Sequence, residues 1–349
     1  MSRWYERSKI GILFVIVCVI GMVYTTPGQA VFKEQPMAPA ATIVNSDITQ
    51  DTTWTKAGSP YYLEDTISIV SGATLTIEPG VTIYFRWRYY FMVYSGSSVI
   101  AKGTPSEHIT FDRYPGYPLW KKIWFDDNTT SYFRYVDFAG AGSEAFDDDT
   151  TLDFDGGTHV LNNCVIEEGE HQGIVASGSN LDLTVAGTLF RDLKRRGITL
   201  DDGAQVTITG SEFDLDGKRA IVVRQVVGAP APTLIVNDSN IVVGSGYGIQ
   251  NEKPNTVCVD ARNNWWGAAD GPSGGGGGAC SGIPSNSGSG SILTSGVDYD
   301  PYLGSQASRV GITTPPTATF TITPPGSVAQ PPGTVYTFDA SGTFDDEDY

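Results

Sequence analysis

Two columns of large apolar residues run through the second half of the chain with one shared, changing step. The stretches HVLNNCVI, DLTVAGTLF, QVTITGSEF and TLIVNDSNI alternate apolar and polar residues, then reach one large apolar residue after two or three small or polar ones. Those closing residues are Ile166, Phe190, Phe213 and Ile241, at steps of 24, 23 and 28. A second set, HQGIVAS, RRGITLD, KRAIVVR and GYGIQNE, places Ile174, Ile198, Ile221 and Ile249 at the same three steps. The long step contains VVGAPAP, which reads as a loop insertion. Upstream, Gly72, Leu75 and Ile77 recur 24 residues later as Gly96, Val99 and Ala101. VTIYF at 81–85 is echoed by HITF at 108–111, and WKKIWF at 120–125 and FRYVDF at 133–138 add strands.

A period in the twenties marks a solenoid, whose repeats bury apolar surface only against their neighbours. Every second residue of a strand points inward, so inward columns must match in kind from turn to turn. The apolar segments here are short, rich in Val, Ile and Phe, and separated by Gly, Asn and Asp, with no helical stretch between them. The Leu/Asn pattern of leucine-rich repeats is absent. The expected fold class is all-β, a parallel β-helix.

An open solenoid end is an unpaired edge and needs a cover. VCVDARNNWWG begins like another rung: Val257 and Val259 alternate, and Trp265 falls 24 residues after Ile241. No second column follows it. Trp265 and Trp266 are therefore expected to cap the core, with the glycine-rich loop and GVDYDPYL folding back over that end.

SGATLTIEPGVTIYF, GTPSEHITF with WKKIWF, the GI rungs, and NNWWGAADGPSG with VDYDPYL resemble exported bacterial proteins of the pectin-lyase-like class. The resemblance covers residues 60–304 and implies a right-handed parallel β-helix. It leaves activity open, because that class holds lyases, hydrolases, epimerases, adhesins and periplasmic scaffolds. Residues 31–59 are expected to form an N-terminal segment or cap, and 305–334 a Pro/Thr/Ser linker. VYTFDASGTFDDEDY resembles the opening of a PKD domain, an extracellular β-sandwich. Such a sandwich needs about 100 residues, so 335–349 reads as the truncated start of one. In a complete domain Asp339, Asp345, Asp346, Glu347 and Asp348 could ligate Ca²⁺; here they also read as polar turn residues.

Residues 1–30 have the order of a secretory signal peptide: Arg3, Arg7 and Lys9, then an apolar run, then Gly28 and Ala30. An uncleaved membrane anchor is the alternative. The formal charge of the chain is -17, and removing Arg3, Arg7, Lys9 and Glu6 leaves the mature chain at -19. Such a charge disfavours nucleic acid as a partner, and no phosphate-binding or dinucleotide motif appears. The expected partner is an extracellular polysaccharide or cell-envelope glycan, and the expected state a monomer. Three cysteines follow the leader. Cys258 and Cys280 bracket the glycine-rich loop and are expected to pair, closing a loop of 23 residues that contributes about 3 kcal/mol. Cys164 reads as a small buried side chain.

The same periodicity applied to charges predicts a ladder. Steps of 24, 24 and 28 connect His171, Arg195, Arg219 and Tyr247, with Lys194 and Lys218 a further pair at 24. Arg196 and Arg224 lie nearby. A basic stripe beside an aromatic suits an acidic glycan, through charge-assisted hydrogen bonds and ring stacking. The functional readings are a non-catalytic glycan-binding, adhesive or scaffold module, and a lyase or hydrolase of uronate polysaccharide. The competing reading pairs these cations with Asp192, Asp201, Asp202, Asp214 and Asp216 as surface ion pairs of little consequence.

Asp147, Asp148, Asp149 and Asp153 in FDDDTTLDF could hold Ca²⁺, the one cofactor the sequence suggests; a solvated acidic loop is the alternative. YFRWRYYFMVY at 84–94 is either core packing or a sugar-stacking surface. The Asp pairs at 126–127 and 201–202 could serve a hydrolase only with a partner on another rung.

Overall fold

The computed structural model describes residues 41–142, 150–224 and 228–308. The expected signal peptide, the PKD-like stretch and most of the linker lie outside the described residues.

The described chain winds as a β-solenoid. One turn consists of Gly157–Asn162 in sheet 1, Val165–Glu167 in sheet 2 and Gln172–Ala176 in sheet 3, and the next turn opens at Leu181–Ala186. The strands pair in parallel with their counterparts one turn earlier and later, giving sheets of ten, nine and eleven strands, and among the described residues only Asn286–Ser287 at the end of sheet 3 joins antiparallel, to Ser273–Gly274. The core is the shaft they enclose.

Both apolar columns are real columns. Ile166 pairs with Phe190, Phe190 with Phe213, and Phe213 with Ile241. Ile174, Ile198, Ile221 and Ile249 pair in the same order. All eight are buried, and burying a side chain of this size contributes about 1.5–3 kcal/mol. Phe190 and Phe213 stack with centroids 4.6 Å apart. The surplus residues of the 28-residue step leave at the corner between Arg219–Val223 and Thr233–Asn237, so the columns keep register.

Upstream, Leu75 pairs with Val99 and Ile77 with Ala101. VTIYF and HITF do lie on neighbouring turns, with Ile83 opposite Phe111, at a step of 28 rather than 24. FRYVDF divides between Thr130–Arg134 and Val136–Ala139, with Tyr135 turning the corner. The sheets reach back to Thr42–Val44 and Thr52–Trp54, within the stretch expected as a cap.

The corner from sheet 1 to sheet 2 is the tightest. Tyr135, Asn163, Gly187, Gly210, Asp238 and Asn263 stand there with φ between 50° and 59°. Asn, Asp and Gly tolerate this left-handed conformation best. The amides of Asn163, Gly187, Gly210 and Asp238 donate to Ala186, Thr209, Asn237 and Asn263 one turn on. The hydrogen-bond ladder therefore continues around the corner.

The C-terminal cap differs from expectation by one residue. Trp265 pairs with Asn240, not with the Ile241 column, and is only partly buried. Trp266 takes the inward position and is fully buried. A one-residue shift in a strand exchanges inside for outside. Gly248 makes room for the Trp266 ring, which would lie 3.2 Å from a Cβ there. The missing second column does follow, after a long excursion. Ile292–Leu293 pairs with Tyr247–Asn251, and Val297–Asp298 with Val259–Asp260. Residues 267–291 are thus an insertion in the last turn. Cys258 and Cys280 form the expected disulfide, and Cys164 is buried and free. Among the described residues, no helix is long and apolar enough to cross a membrane.

Candidate functional site

The corner from sheet 2 to sheet 3 is a four-residue turn on four successive rungs: 168–171, 192–195, 215–218 and 243–246. These turns are not alike. Glu168 and Asp192 begin theirs with φ near 54°, and Lys194 and Arg195 donate their amides to Gly169 and His171 on the turn before. The next two close on themselves, Lys218 N–H to Leu215 and Gly246 N–H to Val243, both 2.9 Å. Gly246 has no alternative, since a Cβ there would sit 1.7 Å from the Lys218 carbonyl oxygen.

Where the turn shape changes, two cavities open. The first, of about 480 Å³, is lined by Lys194, Arg195, Arg196, Lys218, Arg219 and Tyr247 with the small residues Gly217, Ser245 and Gly246. It holds five cations and no carboxylate. The second, of about 310 Å³, is lined by Asp192, Asp214 and Asp216 with Leu193, Leu215 and, again, Lys194 and Lys218. The two lysines are the shared wall.

The expected ladder is corrected in its register. Arg196, not Arg195, pairs with Arg219, and the column reads Gln172, Arg196, Arg219, Tyr247. Between these rungs the chain steps 23 residues, as the Phe190 to Phe213 pairing shows. The 24-residue step from Arg195 to Arg219 and from Lys194 to Lys218 therefore overshoots by one. Lys194, Arg195, Lys218, Arg219 and Tyr247 nevertheless share the first cavity, while His171 is not among its lining residues. His171 accepts two amides through its carbonyl, and its Nδ1 is buried without a partner. Arg196 is the residue that sequence reasoning left at the margin. The 23-residue step in the apolar columns carries the signal that places it.

Electrostatics make Arg196 the most strained cation of the group. Burial holds its guanidinium below its ordinary value, and Arg224, Arg219 and Arg195 push the same way, against Glu252. Its one side-chain partner is Gln172 Oε1 at 3.4 Å, which also accepts from Thr199 at 2.5 Å. Arg196 Nε has none. Arg224 is bound instead to Asp201 by two hydrogen bonds of 2.9 and 2.5 Å. Arg224–Asp201 is thus one of the expected surface pairs. Among the described residues, Lys194, Lys218 and Arg219 make no side-chain hydrogen bond or ion pair, and neither do Asp192, Asp214 and Asp216.

The other sequence candidates fall elsewhere. Asp147, Asp148 and Asp149 lie outside the described residues. Asp153 is buried on sheet 3 and paired with Lys122 at 2.5 Å. Among the described residues no group of three metal-ligating side chains gathers. In YFRWRYYFMVY, Phe85, Phe91 and Val93 fill the core. Tyr84 stacks on Tyr62 at 5.8 Å, and Arg86 covers Tyr62 at 4.1 Å. Tyr84 and Tyr62 thus pack on each other, while Trp87, 53% exposed, and Tyr94 of the same stretch remain at the surface.

The family model for the right-handed beta helix region matches residues 65–264, more than half of the chain. The chain belongs to the right-handed β-helix family. No curated relative and no solved structure matches it. In this β-helix the matched segment contains both cavities, and its last residue, Asn264, lies just before the capping tryptophans.

Proposed function

We propose that this β-helix is an exported or cell-surface module that binds an acidic extracellular or cell-envelope glycan without cleaving it. The observation that carries the reading is the first cavity: five cations and no carboxylate on a chain of net charge -17. Among the described residues Lys194, Lys218 and Arg219 have no side-chain partner, so their donors are available to carboxylate or sulfate groups. Tyr247, 36% exposed, offers a ring face beside them. The leader-like residues 1–30 agree with export, and the PKD-like stretch would act as a spacer.

The test uses the full chain mixed with acidic and neutral polysaccharides, followed by gel filtration with light scattering. The expected result is co-elution with acidic polymers of unchanged length. Salt should weaken it, because exposed charges are screened beyond about 8 Å at physiological ionic strength. Replacing Arg196 and Arg219 together by Ala should lower affinity at least about tenfold, or roughly 1.4 kcal/mol. Equal binding to neutral polymers, or none to any, would overturn the reading.

One observation favours a second reading. A guanidinium held below its ordinary value in a cleft is the kind of group that could take a proton from a uronate ring. Shortening of the polymer in the same experiment would select that lyase.

A further inference from the structure

We infer that the ligand of this corner is zwitterionic: its anionic group occupies the first cavity, and an ammonium group on the neighbouring unit occupies the second. This rests on the glycan-binding reading and narrows it to acidic polysaccharides that carry unsubstituted amino sugars.

The argument begins with the shared wall. Lys194 and Lys218 line both cavities. On one side stand Arg195, Arg196, Arg219 and Tyr247; on the other stand Asp192, Asp214 and Asp216. Opposite charges on neighbouring turns ordinarily close on each other, as Arg191 does on Glu167 at 2.5 Å and Arg224 on Asp201. Here they do not. None of the two lysines and three aspartates makes a side-chain hydrogen bond or ion pair among the described residues. The corner thus keeps two fields of opposite sign side by side, each with unused hydrogen-bonding capacity.

The geometry follows from the solenoid. Two successive turns leave sheet 2 through acidic residues and enter sheet 3 through basic ones, Asp192 before Lys194, Arg195 and Arg196, and Asp214 and Asp216 before Lys218 and Arg219. Stacking repeats that order one rung on, at a spacing of about 4.8 Å. The result is an acidic track parallel to a basic track. A polymer with carboxylates alone would satisfy one track and face the other as a like charge. A polymer bearing a carboxylate and an ammonium on adjacent sugars satisfies both. Hydrogen bonds to ionised groups are about twice as strong as neutral ones.

The experiment compares a glucuronate/N-acetylglucosamine polymer with its N-deacetylated form. Both keep the same carboxylates, and the second adds one amine per disaccharide. Binding of the full chain is measured at a pH of about 6, where a primary amine is protonated. The N-deacetylated polymer should bind about tenfold more tightly. Replacing Asp192, Asp214 and Asp216 together by Asn should abolish that preference while the acetylated polymer binds at least as tightly as before. A general attraction of the negative body for amines would survive the triple replacement, and such survival overturns the inference. Equal or weaker binding of the N-deacetylated polymer by the unaltered protein also overturns it, while glycan binding stands. Binding of neither polymer overturns both. The comparison of polymers on the unaltered protein needs no variant to fold.

Discussion

His159 shows what a single buried group does to this molecule. It lies inside the core against Phe125 and Phe154, fully buried. Nδ1 meets Ser131 Oγ at 2.8 Å, and Nε2 meets the Gly156 carbonyl at 2.8 Å. Burial pulls its pKa down from 6.5 to about 4, against the pull of the Gly156 carbonyl. Between those values the unfolded chain takes up a proton that the folded chain refuses. Stability is therefore complete above about pH 6.5 and falls as pH drops towards 4, by about 3 kcal/mol. Denaturant titrations at pH 7 and pH 4 should show this difference shrinking by that amount in His159→Gln. An unchanged difference would mean the imidazole is protonated in the fold. Nothing in the sequence around His159 announces this. THVLNN looks like any strand, and only the inward position, set by pairing with Leu183, turns a polar residue into a core residue. Arg196 was obscured by a similar single-residue question. A step of 23 rather than 24 decides which of two adjacent arginines stands over Arg219.

At the level of strands and turns, the apolar columns were the most legible part of the chain. Ile, Val and Phe at a shared step can be buried only by stacking, and from Ile166 to Ile241 and from Ile174 to Ile249 each predicted partner is the observed one. Turns were less legible, because they have no apolar pattern and their shape changes between 192–195 and 215–218. That change opens the cavities. Strands also set the scale of core damage. Phe190→Ala removes one ring of the stack with Phe213 and should cost about 3–5 kcal/mol. In a solenoid each rung touches only its neighbours, so the loss should be local. Hydrogen exchange should rise in Val165–Glu167, Leu189–Arg191 and Glu212–Asp214 well before Thr74–Ile77 responds. A uniform rise through all rungs would instead mean that the shaft unfolds as one unit.

As a whole, the molecule is a shaft whose C-terminal end is closed by one long insertion. The sequence showed that something must cover the end and suggested tryptophan. It hid the order of events, since Ile292–Leu293 completes a rung begun at Val259–Asp260. Pairings across an excursion of that length leave no local pattern. The Cys258–Cys280 bond ties the excursion to the last rung. Reducing it should remove about 3 kcal/mol from the cap alone, read as earlier exchange in residues 254–298 at unchanged protection of Leu181–Ala186. If protection is lost equally in both, the end and the middle of the shaft are one cooperative unit.

The corner of left-handed residues from Tyr135 to Asn263 has a consequence for how such a chain can lengthen. It behaves as an indexing notch: each of these six turns arrives there in the same backbone state, with its amide aimed at the next turn. Left-handed residues also occur at the other two corners, as at Glu168, Asp192, Asn128 and Asp202, yet both the surplus of the 28-residue step and the 267–291 excursion leave through those corners. Duplication of a segment that starts and ends at the notch adds a rung in register, whatever its length. Over the turns from Tyr135 to Asn263 extra length is thereby confined to two edges, one of which holds the candidate site.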